Sequence, residues 1–475
     1  MSKPFLAALA RWPSAVAAGP FLFVSGQMGL DAAREPRRQH PGAGPDRPEP
    51  GSAYGWVSGL EGPVEGQAIG LYERYRDLLA PHKLAIGDVV RYHIFQRDKR
   101  FFSAFDRVRR HYESAPPAST AVGMGRFEPA DRVRLCVDSI VYRGTPDAPG
   151  GRAVLAGSKV HAAAAHFSHV IGAGPFLFVA GQIPVDTSQP GSPLVRGYAD
   201  IPEEGRFLSV GRSHEDARNG PIAAQTWFTY DLIRKHLLGA GSSMDRIMNL
   251  VVYLQDMRDF PTFHRVHEHF FPDHAPALTV IEAGEVGHKG TLIEIEPTAI
   301  TAASNLRVER LVDDEAERCA SMSAACGASG LTFLSGVPGL LPAGEPALRV
   351  GGLPAAWRKV LPARLPSGTD PAFAAQTAAV IGRLAARMKA LGARLDRIAH
   401  LTLFVDDIDQ FARMLSVFER AFGRQRPALY VVEVPKVSPV PGTRISATAI
   451  AWLGEDAPKP VTLERSAPGR RRREN

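Results

Sequence analysis

The sequence predicts an α+β protein in which one fold is written three times along 475 residues. Two observations carry this. A short strand signature returns as Phe23-Val24-Ser25-Gly26-Gln27, Phe178-Val179-Ala180-Gly181-Gln182 and Phe333-Leu334-Ser335-Gly336-Val337. The residue before its glycine falls at 25, 180 and 335, equal steps of 155 residues, which is a domain-sized period. After each signature the hydrophobic pattern then switches between helical and strand spacing in the same order.

The elements follow in sequence. A helix begins at Gln67, Gln225 and Gln376, with apolar residues at helical spacing. Next come apolar strands reading VVRYHIFQRD (89–98), IMNLVVYLQD (247–256) and IAHLTLFVDD (398–407), rich in β-branched and aromatic residues as a buried strand requires. A second helix opens at Phe102, Phe260 and Phe411. A Pro-Ala turn follows at Pro117-Ala118, Pro276-Ala277 and Pro427-Ala428. A hairpin then closes each unit, its last strand LCVDSIVY, IEIEPTAI or RISATAIAW. Each unit therefore reads β-β-α-β-α-β-β, two helices covering one face of a mostly antiparallel sheet. The boundaries drawn on this basis are 1–147, 148–304 and a degenerate third copy at 305–455, followed by a disordered basic tail at 456–475. The Pro- and Gly-rich insertions 32–63 and 187–220 read as surface loops.

This order, from the G-x-x-x-F-V-S-G-Q signature to the Pro-Ala turn and the acidic last strand, resembles the Rid (YjgF-type) family over roughly residues 5–145, 160–303 and 318–453. The resemblance implies a chorismate-mutase-like domain, and three tandem copies then imply an intramolecular pseudo-trimer around a central barrel with a small-molecule cleft at each boundary. It also implies hydrolysis of reactive imines or enamines, with an arginine directly after the Pro-Ala turn holding the substrate carboxylate, a task suited to a bidentate guanidinium. This chain has Ser119, Leu278 and Leu429 there. The family's acid on the last strand is placed at Asp138, Glu296 and Ser446, and a polar residue four after the helix-opening phenylalanine at Asp106, His264 and Leu415.

The resemblance thus gives Asp138, Glu296 and His264 as catalytic candidates and Asp106 and Ser119 as substrate-binding ones, with copy three a structural partner. His264 stands out among the histidines because the unperturbed imidazole pKa suits proton transfer near neutrality. Arg126, Arg91 and Arg109 of copy one are the candidates to replace the missing arginine. The segment 116–127, PPASTAVGMGRF, resembles a turn in chorismatases, which act on an enol-ether dicarboxylate. The expected function is a cofactor-free enzyme acting on a conjugated carboxylate, imine or enamine between copies, and not a standard amino-acid enamine deaminase. A non-catalytic metabolite-binding or accessory protein, and a chorismatase-like hydrolase, are the alternatives.

Other classes find little support. His264, His267 and His269 lie on one helix without an H-E-x-x-H pattern, so no metal is expected. Three cysteines without a C-x-x-C pair argue against a disulfide framework and fit a reducing cytoplasm. No Walker loop, dinucleotide fingerprint or nucleophile elbow is present, and no cofactor is expected. The net charge of +7 includes Arg470, Arg471, Arg472 and Arg473 of the tail, so the body is only mildly basic and nucleic acid is not the expected partner. No apolar stretch of about 20 residues is present to span a membrane. A small molecule is the expected partner, bound by a monomer or by a dimer of pseudo-trimers.

Overall fold

The computed structural model describes residues 2–30, 58–145, 148–149, 152–154, 165–313 and 321–462. Most of the 32–63 insertion and the arginines of the tail lie outside these residues. No described helix is long and apolar enough to cross a membrane.

Three six-stranded sheets follow one another, each with the same strand order. In copy one the hairpin Ala15–Ala18 and Phe21–Met28 pairs with the last strand Leu135–Tyr142. Beyond that lie the central strand Val89–Gln96 and then the Pro-Ala strand Ala118–Gly123. Helices Ser58–Leu79 and Phe102–Tyr112 cover one face, and copies two and three repeat the plan. The chain is therefore three tandem α+β domains.

The expected closing hairpin is not formed. The Pro-Ala strand pairs in parallel with the central strand, Arg91 opposite Ala118, and the central strand separates it from the last strand. The helix between the central and Pro-Ala strands forces this, because a strand-helix-strand crossover returns the chain in the same direction. Three further boundaries shift. The helices of copies one and two start at Ser58 and Ser213, inside the segments 32–63 and 187–220 read as loops. Residues Lys459–Val461, assigned to the tail, form a strand beside Ala15–Ala18 of copy one. The segments Arg152–Val154 and Glu309–Leu311 occupy the same edge in copies two and three. Each copy is thus edged by chain lying just beyond the preceding copy, and copy one is edged by chain lying beyond copy three.

Strand alternation sorts the side chains of each sheet. Leu22, Val24, Val137 and Val141 face the helices and pack on Tyr72, Tyr75 and Phe105. Phe21, Phe23 and Ile140 face the other way, into one cluster shared with Phe176 and Phe178 of copy two and Leu331, Phe333 and Trp452 of copy three. Phe21 lies 5.6 Å from Phe176 and 5.9 Å from Phe178, centroid to centroid. Each such ring, fully buried, contributes about 1.5–3 kcal/mol, so the three inner faces hold one another together.

Candidate functional site

The clefts arise where the Pro-Ala strand of one copy meets the signature strand of the next. The Gly181 N–H donates to the Ser119 carbonyl at 3.3 Å, joining copy one to copy two. The Leu278 N–H donates to Ser335 Oγ at 2.8 Å, joining two to three, and the Leu429 N–H donates to Ser25 Oγ at 2.9 Å, joining three to one. The pairing slips a residue between Val24 and Gln27 and between Leu334 and Val337, a bulge that sets Ser25 and Ser335 against the next copy.

Strand pairing also fixes which residues are equivalent. Asp138 stands opposite His93, Glu296 opposite Val251 and Thr448 opposite Thr402, at the same step of the last strand in each copy. Ser446 lies one pleat away from this step. Its counterparts are Cys136 and Glu294, and Glu294 is the acid that reaches a cleft.

That cleft, between copies one and two, holds a cavity of about 240 Å³. Copy one contributes Lys99, Phe102, Arg109 and Ser119, and copy two contributes Gln182 and Glu294. Glu294 is buried and accepts from the backbone N–H groups of Ala121 and Gly287. Burial raises its pKa to about 7, with the Lys99 ammonium opposing and the Glu296 carboxylate adding. Burial in turn lowers the pKa of Lys99, which donates to the Ala121 carbonyl.

Arg109 reaches the cavity from the second helix of copy one. Its Nε donates to Asp106 at 2.7 Å, its Nη1 donates to Ser119 Oγ at 3.3 Å, and its buried Nη2 has no partner among the described residues. The guanidinium thus stands beside Ser119, the position where the resemblance implies an arginine. Asp106, which also accepts from Arg110 at 2.8 Å, aims Arg109 and does not itself line the cavity.

Gly181 makes room for the acid. A Cβ there would sit 2.2 Å from Glu294 Oε1 and 2.9 Å from Thr120 Oγ1. Gly181→Ala is expected to push the carboxylate out of its amide cradle and bring its titration back toward the ordinary glutamate range, read by carboxyl-carbon NMR on the purified protein. An unchanged titration near pH 7 would contradict this placement.

The other two clefts have different side chains at these positions. At the position of Arg109, copy two has His267 and copy three has Phe418; at that of Lys99 they have Met257 and Ile408. His267 is buried and fully bonded, with Nδ1 2.6 Å from the Tyr230 hydroxyl and Nε2 2.7 Å from the Ser321 carbonyl. Burial lowers its pKa to about 4, so it is neutral. Where Glu294 stands, the second cleft has Ser446 and the third has Cys136, whose carbonyl accepts from Tyr430 at 2.7 Å.

The remaining sequence candidates lie elsewhere. Asp138 and Glu296 sit not in a cleft but where the three inner faces meet, joined through His93: Nδ1 is 2.6 Å from Asp138 Oδ1 and Nε2 2.9 Å from Glu296 Oε1. Arg91 Nη1 lies 3.0 Å from Glu296, and His400 of copy three lies 2.9 Å from Asp138. Arg91 is therefore a buried partner in an ion network and does not line the cavity between copies one and two. Burial alone would lower the pKa of His93, but the two carboxylates raise it to about 10. Arg126 pairs with Glu433 at 2.7 Å and Asp409 at 2.9 Å, tying copy one to copy three away from Ser119. His264 contacts Ser321 and Glu268 at the edge of the boundary between copies two and three.

A family model described as endoribonuclease L-PSP matches residues 158–301 and 364–452. A RutC family protein of Pyrococcus horikoshii is 32% identical over 133 residues, 28% of this chain and 85% of its own length. The chain belongs to this family. A further member, the 3-aminoacrylate deaminase RutC of Acinetobacter baylyi, is 29% identical over 93 residues, 20% of this chain and 73% of its own. A Yersinia pestis structure of the conserved Rid protein family is 21% identical, covers 32% of this chain and all of its own, and has a TM-score of 0.25.

Proposed function

We propose that this family member folds as an intramolecular pseudo-trimer and hydrolyses a small imine or enamine carboxylate in the cleft between copies one and two. Arg109 Nη2 holds the carboxylate. Glu294, as a carboxylate, takes a proton from the water attacking the imine carbon and returns it to the nitrogen, giving the carbinolamine; it then carries the carbinolamine hydroxyl proton to the amine as the carbonyl forms and the carbon–nitrogen bond breaks. An imine and water give a carbonyl compound and ammonia. The observation that carries this reading is the Arg109 side chain, whose buried Nη2 has no partner among the described residues, lining the same cavity as a glutamate whose pKa lies near 7. The relative from Acinetobacter baylyi, a 3-aminoacrylate deaminase, supports it. The arginine missing after the Pro-Ala turn is supplied from the helix, which removes the ground for expecting amino-acid-derived imines to be poor substrates.

The test generates an imine in place from an amino acid and an amino-acid oxidase and follows ammonia release. Acceleration by the chain, lost in Arg109→Met, is expected. No acceleration over buffer contradicts the reading and favours a binding or accessory role.

A further inference from the structure

We propose that the cavity between copies one and two is built for a dicarboxylate of three to five carbons. The inference rests on the proposed reading of that cavity as the working cleft and deepens it. Two cationic heads flank a single ring there. Arg109 Cζ lies 5.5 Å and Lys99 Nζ 5.6 Å from the ring centre of Phe102, so the two heads are within about 11 Å of each other, each held by its attraction to the aromatic face.

Both heads keep donors in reserve. Arg109 uses Nε on Asp106 and Nη1 on Ser119, and its buried Nη2 has no partner among the described residues. Lys99 Nζ gives one of its three N–H groups to the Ala121 carbonyl. The acids nearby pair with the two heads only in part: Asp106 bonds Arg109, and Glu294 and Glu285 favour the charged form of Lys99. Asp106 is shared between Arg109 and Arg110. Glu285 is exposed and accepts the backbone N–H of Lys99. Glu294 is bound by two backbone amides. Open N–H donors on two cations in one apolar-walled cavity call for two anionic acceptors on the ligand, because a buried donor left unmet is costly. A short dicarboxylate meets both heads through charge-assisted bonds of about 2.8 Å each. A monocarboxylate would satisfy Arg109 and leave Lys99 facing an alkyl end. Met257 and Ile408 replace Lys99 in the other copies, so among the described residues neither of them has a lysine at this position.

The test is calorimetric titration of the full chain with succinate and with butyrate, which share a four-carbon chain and differ by one terminal carboxylate. Succinate is expected to bind at least about tenfold more tightly, the scale of one charge-assisted contact. Lys99→Met, which installs the residue standing at this position in copy two, is expected to cut succinate affinity about tenfold or more, with thermal melting confirming the fold. Equal affinities in the wild-type chain overturn the dicarboxylate inference while leaving a monocarboxylate cleft standing. Undiminished succinate binding in Lys99→Met overturns the role of Lys99. Binding of neither acid overturns both this inference and the reading it rests on.

Discussion

Replacing Glu296 by glutamine is expected to destabilise the chain by about 3–5 kcal/mol, the cost of removing one partner from a buried ion pair. The Arg91 side chain is 2% exposed and the Glu296 side chain 1%. Neither the guanidinium nor the His93 imidazolium could recover its charge partner from water. The amide keeps the shape and some hydrogen bonds but removes the negative charge, leaving Asp138 alone to balance two cations. Equilibrium urea denaturation measures the loss, and a change below about 1 kcal/mol would contradict the account of this network. The same network sets a pH dependence. The folded pKa of His93, about 10, lies above the ordinary 6.5. Its stabilising contribution is therefore fully present below pH 6.5 and is lost as pH rises through about 10. The wild-type chain should weaken across that alkaline window, and His93→Gln should not show the decline.

The second large effect is on turnover. Glu294→Gln is expected to lower the rate of imine hydrolysis by about two to four orders of magnitude, the usual contribution of a positioned general base. Stability should change little, because the carboxyl is cradled by backbone amides and carries no salt bridge within 4 Å among the described residues. In the wild-type chain the rate should rise as pH passes through about 7, where Glu294 ionises, and the glutamine variant should lose that inflection. Ammonia release across pH 5–9 measures both. A variant that keeps its rate, or keeps the inflection, would move the proton transfer to another residue.

These two substitutions separate a pair of glutamates that stand two residues apart on one strand, and the sequence could not separate them. The last strand of copy two reads I-E-I-E, and both acids point to the same face. Choosing between them requires the register against the central strand, which a single chain of letters does not print. The choice of Glu296 drew Asp138 with it, since the two are equivalent, and left Ser446 misaligned by one pleat. Arg109 was legible only as one of several arginines of copy one. Its role depends on how the second helix lies over the Pro-Ala strand, a tertiary fact that brings its guanidinium to Ser119.

The fold was legible because a 155-residue period repeats every element in order, so that a weak signal in one copy is supported by the other two. What failed was pairing. The Pro-Ala and last strands are neighbours in sequence, and only the central strand lying between them shows that they form no hairpin. Lys459–Val461 is three residues between charged and proline-containing segments, too short for any periodicity, and is a strand only because the edge of copy one receives it.

The proposed function requires a single working cleft among three copies of one fold. Its most direct test is the stoichiometry with which the full chain binds pyruvate, the 2-oxo acid that hydrolysis of 2-iminopropionate would release. Calorimetric titration, with native mass spectrometry counting bound molecules, is predicted to give one pyruvate per chain, abolished by Arg109→Met. Two or three per chain, or one that survives Arg109→Met, would contradict it.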